Sequence, residues 1–352
     1  MITPIDVSFC IPTYNNSQNL KRLVDDILEY KSRNIEVVVL NNTSTDSTLE
    51  VLKEINDSRL NVYSNHDNMG ALFNMVNVLD KGRGKYLVYC TDHDHIDTFK
   101  IEKFHHFLLN NSDISCGYCD YISKSNVLFE IYNCGFPAIN KLGYRTRHPT
   151  GYFFRNDLLK QVGIVERFSD YEYVDLFPLE FVLAELSAKG DCAIYFDSIF
   201  TPETKSRVRM TKKSATTNGE SSGAYFSPQT RLKLAINFEE HIRTLVLTEK
   251  EKERLVLDSF FRELYSATFI YKFIMSQNDL CAHYYMETRK VNYVELIAIS
   301  YRYYRGYSQK VIKYRYQSYL SRSKFKLLLL MRIVWGTTRR IILVLDMSKS
   351  LH

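Results

Sequence analysis

The sequence predicts an α/β fold, built on a parallel sheet with a helical carboxyl-terminal region. Two observations predict it. Short β-rich runs alternate with segments of helical apolar period over residues 5–120, and each run ends in a cluster of Asn, Ser, Thr and Asp. That order places polar groups along the carboxyl edge of a parallel sheet, where open α/β sheets bind ligands.

The first run, Val7-Ser8-Phe9-Cys10-Ile11, is expected to stop at Pro12, which has no N–H for a ladder. Thr13-Tyr14-Asn15-Asn16 then turns the chain. Leu20, Leu23, Val24, Ile27 and Leu28 recur at helical spacing. A second buried-type strand, Ile35-Glu36-Val37-Val38-Val39-Leu40, ends in Asn41-Asn42-Thr43-Ser44-Thr45-Asp46. A short helix over about residues 47–55 leads to a third strand, Leu60-Asn61-Val62-Tyr63, and then to Asn68-Met69-Gly70. The fourth strand, Tyr86-Leu87-Val88-Tyr89-Cys90, runs into Thr91-Asp92-His93-Asp94-His95-Ile96-Asp97. Two acids one residue apart at a strand end suit a hard cation, Mg²⁺ or Mn²⁺, shared with substrate phosphates.

Ile11-Pro12-Thr13-Tyr14-Asn15, Asn41-Asn42-Thr43-Ser44-Thr45-Asp46, Asn68-Met69-Gly70, Gly84-Lys85-Tyr86 and Asp92-His93-Asp94 occur in a set order. Through them, residues 5–120 resemble the family 2 inverting glycosyltransferases of GT-A fold, of the bacterial surface-polysaccharide type. In that family the second piece is often Asp-Asp-Gly-Ser-x-Asp; here Asn41, Asn42 and Thr43 replace its first three residues. Asn keeps the capacity to hydrogen-bond a base or ribose. The resemblance implies a nucleotide-sugar site of Pro12, Tyr14, Asn15, Asn41, Asn42, Asp46, Asn68, Gly70, Asp92 and His93. It implies Asp94, with Asp92, as ligands of Mn²⁺ or Mg²⁺. The donor it favours is a UDP-sugar, and the acceptor a glycan or a lipid-linked acceptor, in capsule or O-antigen synthesis.

Inverting transfer needs a base that deprotonates the acceptor hydroxyl. The family usually places an Asp or Glu at the start of a helix about ten residues before a Gly. A helix is expected from about residue 177 to Gly190, the latter as its C-cap, and Glu180 lies at its start. Pro178-Leu179 replaces the first acid of the commoner Glu-Asp pair, so Asp175 is the alternative. Glu180 would otherwise only complement the helix dipole, worth about 0.3–1 kcal/mol.

The expected organisation is a nucleotide-sugar half (1–110), an acceptor half (111–205), a basic loop (206–223), a helical region (224–321) and a basic amphipathic tail (322–352). The loop, by its charge, is suited to close over a diphosphate. At 352 residues one large or two smaller units are expected. The amino terminus shows no secretory pattern. The seven Cys, including Cys116-Gly117-Tyr118-Cys119, read as reduced structural thiols. Together these predict a cytoplasmic protein. The net charge of +6 is concentrated towards the carboxyl terminus. There Lys324-Phe325-Lys326-Leu327-Leu328-Leu329-Leu330 and Trp335 suit a helix lying in a membrane interface, on the inner face of the cell membrane. A homo-oligomer is the other use of such a tail. Aromatic and basic residues interleave in Tyr301-Arg302-Tyr303-Tyr304-Arg305, but no nucleic-acid motif accompanies them, so no nucleic-acid partner is expected. Two rival functions are a non-catalytic GT-A-like scaffold and a nucleotidyltransferase. The latter would need a Gly-rich basic loop where Ile11-Pro12-Thr13-Tyr14-Asn15 stands.

Overall fold

The structure is a computed structural model and describes residues 4–122, 125–164, 166–167, 176–203, 225–283 and 287–312. The chain opens with β1 (Val7–Thr13), α1 (Ser17–Glu29), β2 (Ile35–Asn41), α2 (Thr48–Lys53), β3 (Leu60–Ser64), α3 (Ala71–Asp80) and β4 (Tyr86–Tyr89). These four strands lie parallel in the order β3-β2-β1-β4. β2 is buried on both faces, as its unbroken apolar run requires. α1 seats Leu20, Leu23, Val24, Ile27 and Leu28 on the sheet, each at most 6% exposed. Gly84 admits no side chain, because a Cβ there would come within 2.7 Å of the Ser8 backbone nitrogen.

β1 does not stop at Pro12. Its pairing with β4 ends at Cys10–Tyr89, closed by the Cys90 amide on the Cys10 carbonyl. Pro12 lies beyond that point, where no ladder partner remains on the β4 side, so its missing N–H costs nothing there. The parting of β1 from β4 opens the crevice.

Next come β5 (His95–Ile96), α4 (Thr98–Asn110), β6 (Cys116–Cys119), β7 (Phe129–Tyr132), α5 (Phe136–Leu142), β8 (Tyr152–Arg155), α6 (Asn156–Val162), α7 (Pro178–Ser187), β9 (Cys192–Tyr195) and β10 (Phe200–Thr201). β8 inserts antiparallel between β4 and β6, and β9 and β7 complete an eight-stranded sheet, β3-β2-β1-β4-β8-β6-β9-β7. Sequence pattern had not resolved β5 and β10, a two-residue antiparallel pair. α1 and α4 cover one face of the sheet; α3, α6 and α7 cover the other. α7 ends at Ser187, and Gly190 is no left-handed cap: a Cβ there would crowd Ser115 at 3.0 Å. Cys116 and Cys119 sit three apart on one strand, so they face opposite sides of the sheet and join different cores. The described structure contains no disulfide, and all seven cysteines are free.

The helical region comprises α8 (Pro228–Thr244), α9 (Glu249–Tyr265), a π turn (Ser266–Ile270), α10 (Tyr271–Met275), α11 (Asn278–His283), α12 (Tyr293–Tyr307) and a second π turn (Ser308–Ile312). It shares a core with α5 and α7. Thr248 and Glu251 form a capping box at the start of α9. Glu185 of α7 joins this region to the sheet. It lies 2.9 Å from His241 Nε2 and accepts from Arg167 at 2.6 and 2.7 Å, while the Tyr144 hydroxyl meets the other His241 nitrogen at 2.7 Å. Burial opposes the ionisation of Glu185, but the hydrogen bonds and charges of His241 and Arg167 outweigh it and bring its pKa to about 2. The folded value lies below the ordinary 4.5, so this contribution is fully present above that value and lost as pH falls towards 2. Glu185→Gln is therefore expected to lower the melting temperature by several degrees at pH 7, on the order of 2–3 kcal/mol. The difference from the parent should shrink between pH 5 and 3, and a constant difference across that range would contradict the assignment.

Among the described residues no helix is long and apolar enough to cross a membrane. The basic loop and the tail, residues 206–223 and 322–352, lie outside the described residues.

Candidate functional site

The reversal of strand order at β1 and β4 is a topological switch point. Asp92 and Asp94 follow β4 directly into the crevice there. Asp92 Oδ2 accepts from the Thr13 hydroxyl at 2.7 Å, which ties the end of β4 to the end of β1. His93 stands between the two acids, with Nδ1 3.2 Å from Asp92 Oδ1 and Nε2 3.8 Å from Asp94 Oδ1. Burial would lower the pKa of His93, but the Asp92 hydrogen bond and the charges of Asp92, Asp94 and Glu203 raise it.

Asp94 is fully buried. Its Oδ2 accepts from Thr91 at 2.5 Å and from Thr150, and lies 2.6 Å from His148 Nε2. Its Oδ1 accepts from the Glu203 amide at 3.0 Å. Burial opposes ionisation, yet the His148 hydrogen bond and charge, His93 and Thr150 hold the carboxyl well below the usual carboxylate range. Arg22 of α1 donates to the carbonyls of His93 and Asp94 at 3.1 and 3.3 Å and so fixes the backbone of the motif. β10 pairs with β5 and brings Glu203 to this point, where its carboxylate meets His95 at 2.9 Å.

The donor chemistry suits a hard divalent cation. Asp92 is the partly exposed acid, whereas Asp94 would ligate only by giving up the Glu203 amide at its Oδ1, which also lies 3.8 Å from His93 Nε2. Among the described residues no group of three or more His, Cys, Asp and Glu could hold a metal by itself. A cation held by one or two carboxylates and completed by phosphate oxygens and water needs no such group.

The remaining residues expected at a nucleotide site fall into two connected networks. Asn15, at φ 53°, donates its amide to Ser44 at 2.9 Å, and its side chain accepts from the Thr45 amide at 2.7 Å. Asp46 accepts from the Ser17 amide at 3.3 Å and the Thr48 amide at 3.0 Å, holding the starts of α1 and α2 together. Asn41 is buried, with its carbonyl oxygen on the Ser44 amide at 3.1 Å. Asn42 is also buried: it donates to Asn68 at 2.8 Å and accepts from Asn65 at 2.8 Å and the Met69 amide at 3.0 Å. Asn68 accepts from the Gly70 amide at 3.0 Å as well. A carboxylate at 42 has no proton to donate to Asn68, so asparagine suits this network. Asn41 and Asn42 thus shape the loops around the site, while Pro12, Tyr14 and Asn15 remain partly exposed at its rim and Gly70 starts α3 at φ 87°.

Glu180 lies at the start of α7, as expected, but is buried. Its Oε2 accepts from the Arg145 amide at 2.8 Å; its Oε1 accepts from the Arg147 amide at 3.1 Å and the Tyr152 hydroxyl. The Arg147 guanidinium is 3.9 Å from Oε1. Asp175 lies outside the described residues. Residues 144–150 form a strap, bonded to Glu180 at one end and through His148 and Thr150 to Asp94 at the other. Tyr144 and Thr146 take left-handed backbone (φ 57° and 50°), uncommon for such residues and costly except where the surroundings impose it. His148, Thr150, Thr91, Arg22, Tyr152 and Glu203 had no role by sequence pattern. The pairing of β8 with β4 carries His148 and Thr150 to Asp94.

Residues 8–166 match the family described as Glycosyl transferase family 2. The chain is 28% identical over 135 residues to the Escherichia coli UDP-Glc:alpha-D-GlcNAc-diphosphoundecaprenol beta-1,3-glucosyltransferase WfaP, covering 38% of this chain and 53% of that protein. It is 26% identical over 138 residues to glycosyltransferase GlyA of Streptococcus pneumoniae, covering 38% of this chain and 20% of that protein. These matches span about half or less of the relatives' own lengths. Among solved structures, S. aureus TarS 1-349 in complex with UDP-GlcNAc aligns with a TM-score of 0.54 at 15% identity, covering 87% of this chain and 92% of that one. At that identity the likeness is one of fold.

Proposed function

We propose that this chain, whose residues 8–166 are a family 2 glycosyltransferase domain, transfers a sugar from a nucleotide diphosphate to a glycan acceptor with inversion. One observation carries the reading: Asp92 and Asp94 stand where β4 parts from β1, the crevice in which this architecture binds ligands. The donor is a UDP-sugar. Support comes from WfaP, whose name specifies UDP-Glc, and from the TarS complex with UDP-GlcNAc. The acceptor is a lipid-linked glycan of bacterial surface-polysaccharide synthesis, in keeping with the diphosphoundecaprenol in the WfaP name. Such an acceptor puts the enzyme on the cytoplasmic face of the membrane, with the basic tail as one contact.

Asp92 and Asp94 would hold Mn²⁺ or Mg²⁺, which supplies positive charge against the leaving diphosphate. Pro12, Tyr14 and Asn15 line the nucleotide side, on loops that Asn41, Asn42, Asp46, Asn68 and Gly70 shape. Deprotonation of the acceptor hydroxyl falls to a carboxylate of the segment entering α7. Both Glu180 oxygens are committed to donors from the strap and β8. We assign Glu180 as the positioning residue, because its donors belong to the strap that reaches Asp94, and Asp175, the alternative acid, as the group that takes the proton. Single displacement at the anomeric carbon then gives the inverted product.

The reading is tested by thermal shift with UDP, GDP and CDP, each with and without Mn²⁺. Binding to the folded state stabilises by RT ln(1 + [L]/Kd), about 2.7 kcal/mol at a hundredfold excess over Kd. UDP with Mn²⁺ should raise the melting temperature most, and Asp94→Asn should remove the Mn²⁺-dependent part. Equal, metal-independent shifts for all three nucleotides, with no hydrolysis of any UDP-sugar, would sink the proposal.

A further inference from the structure

We infer that the outer face of α12 is a docking surface for an anionic lipid bilayer. α12 buries Leu296, Ile299, Tyr303 and Tyr307 towards the protein. Its opposite side carries Tyr293, Ile297 and Tyr301, spaced four residues apart and 72%, 70% and 62% exposed, with Val294 beside them at 76%. A solvated helix face ordinarily carries charged or polar residues at such positions. The Lys272 ammonium sits 4.0 Å over the Tyr293 ring, which joins α10 and its exposed Phe273 to the stripe. Lys290, Arg302 and Arg305 are exposed around it.

Charge selects the occupant. From Arg289 to the carboxyl terminus there are 14 Lys and Arg against 2 Asp and Glu, whereas residues 1–288 hold 32 against 38. A second copy seated on this face would set positive against positive. So would residues 313–352, with nine basic side chains and one acidic. An anionic headgroup layer complements the charge; tyrosines suit the interface, and Val294 and Ile297 reach the acyl boundary. Nucleic acid is also anionic and its bases could stack on the two tyrosines, but it would leave the exposed Val294 and Ile297 beside them without an apolar partner. The inference deepens the proposed lipid-linked acceptor, because it brings the catalytic sheet to the surface where that acceptor resides.

The test uses the full chain and sedimentation with phosphatidylcholine vesicles, with and without phosphatidylglycerol. Wild type should bind only the phosphatidylglycerol vesicles. The triple variant Tyr293→Ser/Ile297→Ser/Tyr301→Ser should partition about tenfold less, with its melting temperature and transfer to a water-soluble acceptor unchanged. Arg302→Gln/Arg305→Gln should weaken binding and make it less sensitive to salt. The inference is overturned if the triple variant binds vesicles like wild type, if wild type ignores phosphatidylglycerol, if the variant changes oligomeric state instead, or if an oligonucleotide displaces the vesicles. Absence of transfer to any soluble acceptor would count against the proposed activity and leave the vesicle result standing.

Discussion

Asp94→Asn is expected to lower sugar transfer by about 10³-fold or more, the scale of losing several kcal/mol of charge stabilisation at the leaving group. The carboxylate is fully buried and receives donors on both oxygens: Thr91, Thr150 and His148 on one, the Glu203 amide on the other. An asparagine must turn its amide nitrogen towards one of these sets. Facing Oδ2's donors, it forces two hydroxyls and an imidazole to reorient; facing Glu203, it leaves that amide unsatisfied at a cost of about 1–3 kcal/mol. Added Mn²⁺ should not rescue the variant, because the lost group is the proposed ligand itself. Steady-state turnover with and without chelator, beside a melting curve, checks both effects. Full turnover in the chelated variant would refute the role.

Glu180→Gln and Asp175→Asn should fail in different ways. Glu180 accepts two backbone amides and the Tyr152 hydroxyl. A glutamine keeps one oxygen and sets an NH₂ group against donors. Its melting temperature should fall by several degrees, with KM and kcat altered together, because the strap that it holds also carries His148 and Thr150 to Asp94. Asp175→Asn should lower kcat by about 10²–10⁴-fold, the usual worth of a general base. Azide or formate as an external base should restore part of that loss. If Glu180→Gln melts like wild type and responds to azide while Asp175→Asn is fully active, the proton goes to Glu180 and the assignment is reversed.

The alternation of β1 to β4 with α1 to α3, and the acids at the end of β4, were legible because each is a local pattern. A period of 3.6, a continuous apolar run and a polar strand end all show within a dozen residues. Asn41, Asn42 and Asn68 could be placed beside the site but not understood. The Asn42 hydrogen bonds join residues 23 to 27 apart in the chain, and only the paired loops reveal that Asn42 must donate as well as accept. Glu180 was correctly set at a helix start, yet nothing local shows that Arg145, Arg147 and Tyr152 would occupy its oxygens. His148 and Thr150 reach Asp94 across 54 and 56 residues, through an antiparallel pairing of β8 with β4 that no periodicity encodes. The sequence by itself therefore determined the parallel half-sheet and the chemistry available at its edge. The tertiary structure decided which donors hold the buried carboxylates of Asp94 and Glu180, and which helix face is left uncovered, because burial and hydrogen-bond partners come from chain segments far apart in sequence.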